Sequence, residues 1–101
     1  MGLHRLGKDK DFEEDKIYSF DFENKHIIVV KKKGKYYALE GICTHEYADL
    51  GYGILTEDVI VCPLHLSQFD IYTGKVLNPP AERDLKKYNV KVIEEEVFVE
   101  L

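Results

Sequence analysis

Apolar and polar positions alternate with a period of two along much of the chain. Tyr18, Phe20 and Phe22 are separated by Ser19 and Asp21, the pattern of a half-buried β-strand. Glu23-Asn24-Lys25 supplies turn residues, and the short β-branched run Ile27-Ile28-Val29-Val30 then predicts a buried strand. Lys33-Gly34-Lys35 reads as a hairpin tip, with Tyr36 to Leu39 as the returning strand. Near the end, Tyr88, Val90 and Val92 alternate with Asn89, Lys91 and Ile93. Glu94-Glu95-Glu96 follows as a turn, and Val97, Val99 and Leu101 form a last strand. No segment carries a 3.6-residue apolar period, so long helices are not expected. The middle, Gly41 to Pro80, is rich in Gly, Pro and His and reads as two large loops joined by the short strand Val59 to Val61. The expectation is an all-β domain with a loop-rich insertion over roughly 41–80, set on a base of roughly 1–40 and 81–101.

Composition narrows the function. A chain of 101 residues predicts one domain. A formal net charge of −5 argues against a nucleic-acid or anionic-membrane binder, which would present a basic face. With 45% hydrophobic residues the chain is too apolar to be disordered. Apolar runs as short as Ile27 to Val30 predict no membrane span, and the charged segment from Met1 to Lys16 does not resemble a secretory leader. The expected location is the cytoplasm. Two cysteines exclude a disulfide scaffold and allow one bridge at most.

Both cysteines lie in the insertion, each with a histidine close by. Cys43-Thr44-His45 is followed, after sixteen intervening residues, by Cys62-Pro63-Leu64-His65. Taken singly, a cysteine is usually a small buried hydrophobe and a histidine an ordinary polar side chain. His4 and His26 have no such company and are read that way. Two Cys–His pairs on two loops instead predict a four-ligand metal site of Cys43, His45, Cys62 and His65. Such a set suits a structural zinc or an iron–sulfur cluster. Zinc fingers prefer both cysteines on one knuckle and both histidines on a helix. Here each loop supplies one of each, an order that fits a [2Fe–2S] cluster with both cysteines on one iron and both histidines on the other.

At these residues the chain resembles the Rieske proteins, whose signature is C-x-H and, 15 to 17 residues on, C-x-x-H. The likeness continues through Ala48, Leu50 and Gly53, then Phe69-Asp70, Thr73-Gly74, Pro80-Ala81, Leu85, Tyr88 and Val90. It implies an all-β Rieske-like fold of three antiparallel sheets, with a loop-rich cluster-binding subdomain at one tip and one [2Fe–2S] cluster per chain. By the same resemblance Cys43 and Cys62 ligate the buried iron, His45 and His65 the outer one, and Pro80 belongs to a loop closing over the cluster. Respiratory-type members carry two further cysteines that bridge the loops; here those positions are Ala48 and Leu64. The resemblance therefore points to the soluble, lower-potential ferredoxin branch. Respiratory members also place a Ser and a Tyr five and seven residues after the second Cys, donating hydrogen bonds to sulfur that raise the potential. This chain has Ser67 but Phe69, which predicts a potential near or below about −150 mV. Ser67 is either a donor to a bridging sulfide or a polar loop residue.

The implied function is electron transfer, from a reductase to an acceptor such as a terminal oxygenase, by a monomeric carrier that is not itself an enzyme. Two alternatives stand beside it: the small Rieske-like subunit of an assimilatory nitrite reductase, and a zinc-stabilised interaction module held by the same two cysteines and two histidines. Between Tyr36 and Thr73 there are six acids and no Lys or Arg. That stretch is either a solvated acidic surface or an acidic rim that steers a basic partner to the cluster.

Overall fold

The computed structural model describes residues 2–43, 48–64, 66–78 and 83–101. Ten strands follow in chain order: β1 (Leu3–Lys8), β2 (Ile17–Phe22), β3 (Lys25–Lys32), β4 (Lys35–Glu40), β5 (Ile54–Thr56), β6 (Val59–Val61), β7 (Gln68–Asp70), β8 (Val76–Asn78), β9 (Lys87–Ile93) and β10 (Glu96–Glu100). They form a six-stranded sheet ordered β1-β10-β9-β4-β3-β2 and a four-stranded sheet ordered β5-β6-β7-β8. Every pairing between named strands is antiparallel. The larger sheet is two three-stranded halves joined where β4 meets β9, at Ala38↔Tyr88 and Leu39↔Lys87. No helix among the described residues is long and apolar enough to cross a membrane.

The strands anticipated from alternation are present, with tighter turns than expected. The turns are Glu23-Asn24, Lys33-Gly34 and Glu94-Glu95, so Lys25, Lys35 and Glu96 already belong to strands. Strand β1 gave no alternating signal because its edge position leaves Leu3 exposed and only Gly7 buried.

Strand β3 organises the interior. Ile27 and Val29 face one apolar cluster with Ala38 and Val99, packed on Phe20, Phe22, Tyr36, Tyr88 and Val90. Ile28 and Val30 face the other, with Leu39, Cys43, Leu50, Ile60, Cys62, Phe69 and Ile71. A strand with apolar layers on both sides cannot alternate, which is why four β-branched residues run unbroken. Each of these side chains is essentially fully buried, worth about 1.5–3 kcal/mol apiece relative to exposure.

The middle of the chain departs from the expectation of two loops and one strand. β6 occupies Val59–Val61 as anticipated, but β5, β7 and β8, each of three residues, join it in a small sheet. Three residues are too few to display a period; β6 shows through its unbroken β-branched run, whereas β5, β7 and β8 mix residue types and leave no pattern. Beyond them, Gly74 (φ +80°) accepts from the Leu85 amide at 2.7 Å and donates to the Asp70 carbonyl at 2.8 Å. A Cβ at Gly74 would collide with the Leu85 carbonyl, so the left-handed glycine lets the chain close on itself there.

Candidate metal centre

The two cysteines sit at equivalent places. Cys43 follows β4 and its amide donates to the Ala48 carbonyl at 2.7 Å; Cys62 follows β6 and its amide donates to the Ser67 carbonyl at 2.8 Å. Each cysteine therefore opens a loop that its own amide closes on the carbonyl five residues ahead. Both are fully buried thiols, not joined in a disulfide, and both belong to the core cluster shared with Ile28, Leu50, Ile60 and Phe69. The first neck is reinforced by the Ile42↔Asp49 bridge and by the Leu50 amide donating to the Gly41 carbonyl at 2.8 Å. His45 and His65, two and three residues beyond the cysteines, lie outside the described residues, as does Pro80.

Two soft sulfur donors brought into one apolar pocket, each at the start of a loop that also carries an imidazole, make a donor set suited to iron–sulfur ligation. Burial in a dry core shields sulfur-bound iron from water. Among the described residues no group of three or more His, Cys, Asp and Glu side chains is arranged to hold a metal.

Two further expected residues flank the second loop. Ser67 is the one fully buried polar side chain among the described residues, and Phe69 on β7 is fully buried opposite Ile60 on β6. The cysteine end of the small sheet also presents apolar side chains to solvent. Tyr52 is 81% exposed, and Ile54, Leu64 and Leu66 are each about half exposed or more. Leu66 adopts φ +59°, a left-handed conformation that costs a bulky side chain roughly 1–2 kcal/mol.

The described acids of this stretch are divided: Asp49 stands at the neck of the first cysteine loop, while Glu57, Asp58 and Asp70 lie at the far end of the small sheet. Glu57 and Asp58 make the β5–β6 turn, at the end of the small sheet away from Cys62, where Asp58 accepts from the Tyr72 hydroxyl. Asp70 accepts the Tyr72 and Thr73 amides, and Glu40 pairs with Arg83. Asp58, Asp70 and Glu40 thus serve turns and pairs within this chain, with Glu57 and Asp58 at the surface. Glu46 lies outside the described residues.

His26 is the residue that sequence reasoning passed over. Its Nδ1 lies 2.6 Å from Asp21 Oδ1 and its Nε2 lies 2.8 Å from Asp49 Oδ1. Burial alone would lower its proton affinity, but hydrogen bonds to Asp21 and Asp49 outweigh that and raise its pKa above the ordinary histidine value. Asp49 stands 23 residues away in sequence, so no spacing rule links the two.

Comparison with known proteins agrees with the geometry. The family model described as the Rieske [2Fe–2S] domain matches residues 2–89. The ferredoxin component of the naphthalene 1,2-dioxygenase system of Pseudomonas putida is 34% identical over 91 residues, 90% of this chain and 88% of that one. The ferredoxin component of the naphthalene 1,2-dioxygenase/salicylate 5-hydroxylase systems of Ralstonia sp is 37% identical over 82 residues, 81% and 79% of the two chains. Among solved structures, the ferredoxin of carbazole 1,9a-dioxygenase from Nocardioides aromaticivorans IC177 superposes with a TM-score of 0.91 at 28% identity, covering 98% of this chain and 97% of that one. A ferredoxin chain in a complex of reduced oxygenase and oxidized ferredoxin of carbazole 1,9a-dioxygenase also gives 0.91, at 31% identity over 96% and 91% of the chains.

Proposed function

The chain belongs to the Rieske [2Fe–2S] domain family, and from that premise we propose that it is a cytoplasmic, monomeric one-electron carrier serving a terminal oxygenase. It is an electron-transfer component rather than an enzyme, and it uses one [2Fe–2S] cluster. The acceptor follows from the relatives, which are ferredoxin components of dioxygenase systems, and from the solved complex of such a ferredoxin with an oxygenase. The donor is a reductase.

The observation that carries the reading is the matched pair of buried thiols, each closing its own loop, with a histidine two or three residues on. In this reading Cys43 and Cys62 hold the inner iron and His45 and His65 the outer one. Segment 41–80 is the cluster-binding part, and 1–40 with 81–101 the base. Bound there, the group supplies a reversible one-electron couple. The chain's own residues do the rest. The core around Ile60 and Phe69 keeps water from the thiolates, and the exposed Tyr52, Ile54, Leu64 and Leu66 offer an apolar contact for a protein partner.

Purified holoprotein is expected to contain two irons and two sulfides per chain, to absorb in the visible and to show an EPR signal on reduction. A colourless protein with stoichiometric zinc overturns the reading. Histidine ligation has its own check. Reduction places extra negative charge beside the imidazoles and raises their proton affinity. The potential should therefore fall as pH rises through the oxidised-state imidazole pKa values, and a potential constant from neutral to strongly alkaline pH would refute ligation by His45 and His65.

A further inference from the structure

The base and the first cysteine loop are tied together by one side chain. His26 lies on β3, on the same face as Ile28 and Val30, which pack against the core containing Cys43 and Cys62. Its ring spans two elements, Asp21 on β2, its direct cross-strand partner, and Asp49 at the neck of the first loop. A neutral imidazole has one N–H and can donate to one carboxylate only. Both ring nitrogens face carboxylate oxygens within 2.8 Å, so the arrangement is satisfied by the imidazolium.

The ring is also confined. Its side chain is 18% exposed, and a Cβ on Gly41 would sit 2.5 Å from its Cδ2. The His26 carbonyl meanwhile accepts the Gly41 amide at 2.8 Å. Asp49 is committed as well, because its Oδ1 also accepts the Gly51 amide at 2.8 Å and caps the short turn Leu50–Tyr52. On the remaining side, Glu40 of β4 is taken up by Arg83 and the Lys86 amide. Asp21 and Asp49 are thus the charged groups that face the ring.

We propose that His26 is a positioning residue for the cluster: as an imidazolium bridging Asp21 and Asp49, it locks the neck formed by residues 41–43 and 48–50 onto β3 and so fixes the backbone that presents Cys43. The inference rests on the reading of Cys43 as a ligand. Loss of a group hydrogen-bonded directly to a metal ligand typically costs about 10–100-fold in metal affinity; His26 acts one layer further out, through Asp49 and Gly41, so the lower end of that range applies. The pH response has a definite sign. With its folded-state pKa raised, His26 contributes fully below its unfolded pKa, and the contribution is lost as pH rises through the folded value.

The test uses holoprotein of wild type, His26→Gln, Asp49→Asn and Asp21→Asn. Cluster release into chelator is followed by visible absorption, alongside the EPR line shape of the reduced state and the Tm. Asp49→Asn keeps an oxygen for the Gly51 amide and removes only the charge, so it guards against misfolding of the histidine variant. His26→Gln and Asp49→Asn should release the cluster about tenfold faster and shift the EPR line shape. Asp21→Asn should do markedly less, since His26 keeps its bond to Asp49. Wild-type release should accelerate as pH climbs through the raised His26 pKa, an acceleration absent from His26→Gln. Unchanged release and line shape in both His26→Gln and Asp49→Asn overturn the proposal. So does a release rate that tracks Tm equally in all three variants, because that describes general stabilisation. If wild type itself bound no iron, the ligand reading would fail before any variant was compared.

Discussion

The two cores that β3 separates are built on different terms. On one side Ile27, Val29, Ala38 and Val99 meet a ring of aromatics, and the layer is held by strands of five to eight residues with continuous ladders. On the other side, three-residue strands with short ladders pack with Ile28, Val30 and Leu39 around two thiols, and hydrogen bonds closing loops supplement those ladders. Hydrocarbon burial alone suffices for the first. The second gathers its apolar side chains around the thiols of Cys43 and Cys62, and in the ligand role proposed for them part of its cohesion would come from the group they hold. A carrier of this size can thus keep a rigid base while assigning its less regular half to chemistry.

Stripping the cluster gives the sharpest test of that contrast. Amides of Ile60 and Phe69 should then exchange with solvent roughly a hundredfold faster, while those of Val29 and Ala38 stay protected. Equal acceleration in both regions, read by hydrogen exchange, would mean that the halves form one cooperative unit. The converse experiment is Ile27→Ala, which removes a fully buried side chain from the base. Denaturant unfolding should show a loss of about 2–5 kcal/mol, with the EPR signal of the folded protein unchanged. An altered signal would show that the wall between the cores transmits packing changes to the metal.

A smaller effect is expected at Ser67. If its buried hydroxyl donates to a cluster sulfur, Ser67→Ala lowers the midpoint potential by some tens of millivolts, the scale of a hydrogen bond worth about 1 kcal/mol. No change in potential removes the donor role and leaves Ser67 as a buried structural hydroxyl. The smallest effect belongs to the base. Glu94 and Glu95 form the β9–β10 turn with φ of 48° and 67°, a conformation in which glycine costs nothing sterically. Glu95→Gly should raise stability by about 0.5–1 kcal/mol and leave the cluster's release rate untouched.

How much of this could be read from the chain depended on length. β2, β3, β4, β9 and β10 announced themselves because five or more residues display alternation, or its absence at Ile27 to Val30. β5, β7 and β8 were hidden because three residues have no period, and β6, equally short, was legible only because Val59-Ile60-Val61 is wholly β-branched. The cysteines and histidines were legible because ligand spacing is local along each loop. The His26–Asp49 contact was not, since it is created by tertiary folding across two elements with nothing in the intervening sequence to mark it. The acidic stretch shows the opposite failure: composition flagged six carboxylates as one feature, and folding distributes them, Asp49 to a cap at the first neck and Asp58 and Asp70 to hydrogen bonds at the far end of the small sheet.

The two-sidedness of β3 also bears on descent. A lineage that exchanged Cys43 and Cys62 for apolar side chains would give up its redox role. It would still have to retain the small sheet, because Ile28 and Val30 would otherwise meet water. Loss of the metal and loss of the lobe are therefore separable events, and only the first is open to a chain that must stay folded.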